Sequence, residues 1–142
     1  INSEESSKRQ SITLRESVFL SNSGSTLQVY NCDLTDYGSR YELNTDTVLS
    51  LYSQSSASFT QCSFFNNTSS TSVVSAADDS FLNLANCVFI GNSGSPNGGV
   101  VSLNKAALTA TKTVFKRNSG KSSGISLRYS EPRTNHIVDC EF

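Results

Sequence analysis

The sequence predicts an all-β fold, a parallel β-helix (solenoid) of about five coils with three short strands per coil. Two observations indicate this fold: a short phrase that recurs along the chain, and a second phrase that recurs between its copies. The stretches "CVFIGNSG" and "TVFKRNSG" show the first phrase, in which Phe89 precedes Asn92, and Phe115 precedes Asn118, by the same spacing. Recurrence at a regular interval is the sequence signature of a stacked repeat.

The first phrase has the form apolar-x-apolar-x-x-Cys-x-Phe-x-x-Asn, and the chain contains six copies. In the second copy, Leu34 takes the Phe position and Tyr37 stands in place of the Asn. The predicted structural ladders are Phe19, Leu34, Phe64, Phe89, Phe115 and Phe142 at the Phe position, Asn22, Asn67, Asn92 and Asn118 at the Asn position, and Cys32, Cys62, Cys87 and Cys140 at the Cys position.

The second phrase is an apolar-Ser-apolar segment at residues 49–51, 74–76, 101–103 and 125–127. In both phrases, apolar and polar residues alternate with period two, which places the apolar side chains on one face of a short strand. Positions 34, 64, 89, 115 and 142 are separated by 30, 25, 26 and 27 residues, which suits one turn of a three-stranded coil. A meander of hairpins is the competing all-β interpretation, but the chain lacks strands joined by two-residue Asn-Gly or Asp-Gly turns.

The three ladder positions have predicted structural roles. One coil buries about five or six apolar side chains at ~1.5–3 kcal/mol each, which does not offset the cost of ordering some 25 residues at about 1.5 kcal/mol each. The coils must therefore stack, with the Phe and Cys positions facing inward. We expect the Asn residues to lie where the chain turns, because Asn tolerates left-handed backbone geometry and can bond the backbone of the next coil.

Composition excludes several classes of function. Only 16% of the residues are charged and the formal net charge is -1, which gives no electrostatic footprint for nucleic acid or an anionic membrane. No apolar run approaches the roughly 18 residues of a membrane span. The four cysteines lack the spacing of a metal site, so neither a metal nor another cofactor is expected.

The phrases also carry a family resemblance. The segments "FLSN", "FFNN", "FIGN" and "FKRN" match the FxxN repeat of chlamydial polymorphic outer-membrane proteins, and "GGVV" at residues 98–101 is similar to their GGA(I/L/V) repeat. The resemblance covers roughly residues 11–142 and extends to similar protist surface proteins. It implies a right-handed, pectin-lyase-like β-helix displayed outside a cell and associated with adhesion. The double Gly occurs once here, which departs from the family pattern.

The sequence suggests where the regular coils begin and where loops interrupt them. Residues 1–10 form a polar N-terminal segment, and residues 11–142 form the β-helix segment, which we expect to be part of a longer solenoid. Residues 35–46 and 128–136 are polar and are predicted to protrude as loops. The interval between Phe19 and Leu34 is too short for a full coil, and it is compatible with a partial coil, a different edge structure or a splice in the sequence.

Catalysis is a relevant alternative because pectin-lyase-like helices include polysaccharide hydrolases and lyases. The "NTD" at residues 44–46 and the pair Asp78 and Asp79 resemble acidic motifs of polygalacturonases. Their positions in the coil put Asp46 about 20 Å of strand length from the pair, whereas inverting carboxylates lie about 6.5–9.5 Å apart. A calcium-dependent lyase using Asp78, Asp79 and Lys105 is the other enzymatic alternative. The lone His136 is placed in a loop, and no catalytic residue is assigned.

The cysteines are expected to form one column, as buried thiols or with a disulfide between neighbouring coils. "NNTS" at residues 66–69 holds two overlapping N-x-S/T sequons, and Asn66 is the predicted glycosylation site because Asn67 belongs to the inward ladder.

The expected function is a non-enzymatic structural or adhesive segment of an extracellular or cell-surface β-helix protein. The alternative is a polysaccharide-binding or polysaccharide-degrading protein. Expected partners are further coils of the same chain or neighbouring subunits, together with glycans or a host surface receptor.

Overall fold

The computed structural model describes residues 9–95, 98–128 and 135–142. They form an all-β parallel solenoid of about five coils, with three sheets and, within these ranges, no helix. Every strand pairs in parallel with the strand one coil before or after it in its sheet. The fold class predicted from the repeats, a parallel β-solenoid with three strands per coil, is therefore confirmed.

Each coil contributes one strand to each sheet in turn. The first sheet contains β1 (Gln10–Arg15), β4 (Cys32–Tyr37), β7 (Ser56–Thr60), β10 (Phe81–Ala85), β13 (Ala107–Thr111) and β16 (His136–Val138). The second sheet contains β2 (Val18–Leu20), β5 (Arg40–Glu42), β8 (Ser63–Phe65), β11 (Val88–Ile90) and β14 (Val114–Lys116). The third sheet contains β3 (Leu27–Tyr30), β6 (Leu49–Tyr52), β9 (Val74–Ala77), β12 (Gly99–Asn104) and β15 (Ser122–Arg128).

Three corners join the sheets of one coil. The first corner connects the first and second sheets, the second corner connects the second and third sheets, and the third corner leads from the third sheet to the next coil of the first sheet. Coils are numbered by their strands, so that β1–β3 form the first coil and β13–β15 the fifth.

A column of stacked aromatic rings runs through the second sheet. Its rings are those of Phe19, Tyr41, Phe64, Phe89, Phe115 and Phe142. Centroids of neighbouring rings are 4.8, 4.8, 4.3, 4.9 and 5.2 Å apart, with interplanar angles of at most 10°. This spacing follows from the distance of about 4.8 Å between neighbouring strands, since each ring lies directly above its equivalent in the previous coil.

The assignment of Leu34 to the aromatic column was wrong. Leu34 lies in β4 of the first sheet and pairs with Ile12 and Ala57, and the aromatic position in the second coil belongs to Tyr41. The error arose because the apolar alternation in the first and third sheets is the same, so the pattern alone does not say which sheet a strand joins.

A buried hydrogen-bond network accommodates the polar end of Tyr41. The phenol of Tyr41 and the hydroxyl of Ser39 each donate to the carboxylate of Asp36 at 2.5 Å, and all three residues are buried. Burial, followed by the hydrogen bond to Asp36, raises the pKa of the Tyr41 phenol well above its usual range. The network lets an aromatic residue with a polar end occupy the core without an unpaired hydroxyl.

The correct alignment removes the short first interval. Equivalent Asn residues of successive coils are 22, 23, 25 and 26 positions apart, so every interval is a full coil. Residues 35–46 are not a protruding loop, since they contain the end of β4 and all of β5. The other predicted loop, residues 128–136, lies largely outside the described residues, but Arg128 ends β15 and His136 begins β16, so neither terminus of that range is a loop residue.

A ladder of Asn side chains runs along the second corner. It comprises Asn22, Asn44, Asn67, Asn92 and Asn118, of which Asn44 was not recognised from the sequence and Tyr37 was wrongly aligned in its place. The Oδ1 atom of Asn67 accepts from the backbone N–H and from the Nδ2 of Asn44, at 3.0 and 2.9 Å. The Nδ2 of Asn67 donates to the carbonyl of Tyr41 at 3.0 Å and to Oδ1 of Asn92 at 2.9 Å.

The left-handed residue at this corner is the one before each Asn, not the Asn itself. These preceding residues are Ser21, Leu43, Asn66, Gly91 and Arg117, with φ between 50° and 67°. Because the preceding residue makes the turn, the Asn side chain points inward, where its amide satisfies backbone groups of two neighbouring coils.

Candidate functional site

A groove of about 610 Å³ runs along the third corner. It is lined by Asn31, Ser53, Gln54, Asp78, Asp79 and Lys105, which come from four successive coils. We call it the corner groove. Three coil spacings of about 4.8 Å make it roughly 14 Å long, so it suits an extended ligand that runs parallel to the solenoid axis.

The backbone explains why these side chains point outward. All six lining residues have positive φ, between 47° and 63° for Asn31, Ser53, Gln54, Asp78 and Asp79, and 52° for Lys105. In the second and third coils the chain turns through two such residues, and Ser55 N–H donates to Tyr52 O at 3.2 Å and Ser80 N–H to Ala77 O at 3.1 Å. Two consecutive residues with positive φ inside such a bond are typical of a type I′ turn, which favours short polar residues such as Asp and Asn.

Two stacked tyrosines precede the groove residues in the chain. The rings of Tyr30 and Tyr52 lie 5.0 Å apart with an interplanar angle of 18°. Each is the last residue of its strand in the third sheet, directly before Asn31 or Ser53 of the groove. Tyr30 is 57% exposed, so part of its side chain is accessible to a ligand.

Charges of both signs line the groove and its edge. Asp78 and Asp79 supply two carboxylates, and Lys105 of the next coil supplies an ammonium group. The N–H of Asp79 donates to the carbonyl of Lys105 at 2.8 Å, which fixes the two backbones against each other. Beside the second coil, the Arg9 guanidinium pairs with Asp33 at 3.1 Å and also donates to the carbonyl of Gln54. The lining itself is therefore polar with a small excess of negative charge.

The structure brings together some of the residues considered for catalysis and separates the others. Asp78, Asp79 and Lys105 line one groove, as the lyase alternative requires. Asp46 lies at the second corner, where its carboxylate accepts from the N–H of Thr47 at 2.9 Å. His136 lies in β16 and pairs with Thr109. Within residues 9–95, 98–128 and 135–142, no group of three His, Cys, Asp or Glu residues could hold a metal ion.

The predicted cysteine column is divided between two corners. Cys62, Cys87 and Cys140 follow the first corner, where the N–H of Val88 donates to Cys62 O at 3.0 Å. Cys32 instead aligns with Ser55 at the third corner, because its N–H donates to Ser55 Oγ at 3.4 Å. The placement of Cys32 in the column was therefore wrong, for the same reason as the placement of Leu34. All four cysteines are free thiols in the structure.

Sequence reasoning missed half of the groove lining. Asn31, Ser53 and Gln54 of the lining were not singled out, nor were Tyr30 and Tyr52, which precede them in the chain, although each lies at or just after the end of a strand in the third sheet. The signal was available in "LQVY" at residues 27–30, which pairs residue for residue with "LSLY" at residues 49–52. Aligning these two segments places both tyrosines in one outward column.

No known protein family matches this chain, and no curated protein resembles it at a significant level. The fold is therefore described by its architecture, a parallel β-solenoid, without a family assignment. As to membranes, the described part of the chain holds no helix of the length and apolar character needed to cross one.

Proposed function

We propose that this chain is a non-enzymatic structural or adhesive segment of an extracellular or surface-displayed β-solenoid protein. One observation carries the proposal: the buried polar side chains bond coil to coil. The Asn ladder and the hydroxyls of Thr47 and Ser55 all contact the backbone or side chains of another coil. Such contacts build a stiff rod that can display its outer face, and this is the role that the resemblance to right-handed, pectin-lyase-like surface helices implies.

The outer face of the strands supports the same proposal. Outward positions of the third sheet carry Gln28, Ser75, Ser102 and Ser126, which are exposed or half-buried and align across the coils with the buried Ser50. Uncharged hydroxyl and amide side chains keep a surface hydrated without attracting nucleic acid or anionic lipid. The proposed role is therefore display and contact at a cell surface.

Exposure of the first sequon residue agrees with a secretory origin. Asn66 is exposed, with φ 50°, whereas Asn67 is fully buried and its amide is bonded within the ladder. Only Asn66 has room for a glycan in the folded solenoid, and the hydroxyl residue of its sequon is Thr68.

Secretion from a eukaryotic host should place an N-glycan on Asn66, measured by glycopeptide mass spectrometry. Two single substitutions separate the overlapping sequons. Thr68→Ala removes the sequon of Asn66 and should abolish the glycan, whereas Ser69→Ala removes only that of Asn67 and should leave the glycan in place. Unmodified Asn66 in the secreted wild-type protein would contradict the proposed glycoprotein.

The corner groove favours a second candidate function, binding of a polysaccharide. Sugar rings present C–H faces that pack on aromatic rings, and the exposed side chain of Tyr30 offers such a ring. Next to it, Asn31, Gln54 and Asp78 offer amide and carboxylate groups that can bond sugar hydroxyls. The excess of carboxylate over ammonium disfavours an acidic chain, so this candidate function is the binding of a neutral polysaccharide.

Affinity electrophoresis in gels containing neutral or uronic-acid polysaccharides, with product release assayed in parallel, tests both candidates. If the groove binds sugar, the neutral gel should retard the protein, and Tyr30→Ala should weaken retardation about tenfold, equivalent to ~1.4 kcal/mol. Tyr37→Ala is the matched control, since Tyr37 is also exposed but ends β4 at the first corner. Calcium-dependent product release that Asp78→Ala abolishes would contradict the non-enzymatic proposal.

A further inference from the structure

One row of small polar and sulfur-bearing residues follows the first corner on the inside of the solenoid. Its members, in coil order, are Ser17, Ser39, Cys62, Cys87, Thr113 and Cys140. The alignment is fixed by backbone bonds, because the N–H after each member donates to the carbonyl of the member one coil earlier. Examples are Val88 N–H to Cys62 O and Val114 N–H to Cys87 O, both at 3.0 Å.

Only one pair of cysteines is adjacent in this row. Cys62 and Cys87 lie in the third and fourth coils, about 4.8 Å apart by strand spacing, which falls within the roughly 4.4–6.8 Å between Cα atoms that a disulfide requires. Thr113 separates Cys87 from Cys140, so that distance is about 9.6 Å. Cys32 is excluded because it belongs to the third corner.

The thiols of this pair share one buried environment. Both residues are fully buried. The Cys62 thiol donates to the carbonyls of Thr60 and Asp36 at 3.5 and 3.6 Å, and the Cys87 thiol donates to those of Ala85 and Phe59 at 3.5 and 3.4 Å. Each thiol therefore bonds a carbonyl of its own coil and one of the preceding coil, so the two sulfur atoms lie at matching positions along the axis.

We propose that Cys62 and Cys87 form a disulfide between the third and fourth coils when the chain folds under oxidising conditions. The oxidant is a disulfide, either a small molecule or a protein. The thiolate of one cysteine attacks it and releases one thiol, and the second cysteine then attacks the mixed disulfide and releases the other. The two cysteines lose two protons and two electrons, and the oxidant becomes two thiols.

Because both thiols are buried in the folded protein, we expect the disulfide to form before the coils close. Hydrogen bonding to Cys87, together with burial, raises the pKa of the Cys62 thiol, whereas the same hydrogen bond lowers the pKa of Cys87, so Cys62 is the poorer nucleophile of the two in the folded protein. An oxidant also has no path to two fully buried sulfur atoms. The reduced protein, once folded, should therefore resist oxidised glutathione, whereas the same protein refolded in its presence should become cross-linked.

Refolding the reduced, denatured chain in a mixture of oxidised and reduced glutathione, followed by non-reducing peptide mapping, tests the proposal. A peptide pair linked through Cys62 and Cys87 is expected, and its formation should move the denaturant midpoint of unfolding upward relative to the reduced protein. Links that involve Cys32 or Cys140, or four free thiols after refolding, would overturn it. The proposal rests on the register and burial of this row and not on the proposed function, so its failure would leave that function untouched.

Matched serine variants identify the pair. Cys62→Ser or Cys87→Ser should abolish the shift of the midpoint, whereas Cys32→Ser and Cys140→Ser should retain it. Serine is tolerated in this row, since Ser39 already occupies the same position one coil before Cys62 and donates to Asp36. A shift that persists in Cys62→Ser would show that another pair is responsible.

Discussion

Replacing Phe89 with alanine is expected to lower the free energy of unfolding by about 3–5 kcal/mol, the range for a large aromatic residue removed from a packed core. Phe89 is fully buried, and its ring stacks on Phe64 at 4.3 Å and on Phe115 at 4.9 Å. Truncation opens a cavity between two rings that belong to different coils, so both neighbouring coils lose a packing partner. Denaturant unfolding of the purified variant measures the loss.

Phe65→Ala is the matched control for this experiment. Phe65 lies one residue from Phe64 in β8, but its side chain alternates to the outside, where it is half-buried beneath the Arg40 guanidinium at 5.5 Å. Its truncation removes surface contacts and leaves no cavity, so the loss should be well below that of Phe89→Ala. Equal losses would show that the inward and outward positions are exchanged.

Asn67→Ala should lower the free energy of unfolding by about 2–5 kcal/mol, since buried groups that lose a partner cost about 1–3 kcal/mol each. The Asn67 amide bonds Asn44 N–H and Tyr41 C=O inside the second corner. Alanine leaves both without that partner. Chemical denaturation compared with Asn66→Gly measures the effect, because Asn66 is exposed with φ 50° and glycine adopts that geometry without strain. A loss of stability no larger than that of the control would contradict a structural role for the ladder.

Asn67→Asp tests whether the side chain at this position faces buried acceptor oxygens. At neutral pH an ionised carboxylate would face the carbonyl of Tyr41 and Oδ1 of Asn92, which accept hydrogen bonds from the amide in the wild type. Burial and these oxygen atoms should raise the pKa of the new carboxyl, so the destabilisation should be largest above that pKa and should lessen as the pH falls through it. A variant whose loss of stability does not change with pH would contradict the contact of this side chain with buried acceptor oxygens.

The sequence was sufficient to predict the architecture because the repeat occurs several times in the chain and its copies can be compared. Phe64, Phe89 and Phe115 share one phrase with Asn67, Asn92 and Asn118, and three consistent copies fix the coil length. The second coil was misaligned because Tyr41 replaces Phe, and its phenol requires the unrepeated Asp36 as a partner. The alternation of apolar and polar residues cannot reveal a single departure of this kind, since Leu34 fits the apolar pattern equally well in the first sheet.

The groove was harder to predict because its residues share geometry and not chemistry. Asn31, Gln54, Asp78 and Lys105 have little in common as side chains, yet each lies at a left-handed corner between the third and first sheets. Positive φ at a corner is compatible with many polar residues, so no recurrent residue type marks the groove positions in the sequence. Only the register of the third sheet, which depends on aligning residues 27–30 with 49–52, assembles them into one surface.

The Asn ladder makes the two ends of the solenoid different, because its hydrogen bonds all run in one direction along the axis. The Oδ1 atoms of Asn44, Asn67, Asn92 and Asn118 each accept from the coil before, so their side-chain carbonyl dipoles add along the axis with their negative ends toward the first coil. A coil stacked before Asn22 must offer donors, and one stacked after Asn118 must offer an acceptor. Head-to-head joining would oppose two carbonyl oxygens, so the ladder permits only head-to-tail addition of coils, whether from the same chain or another.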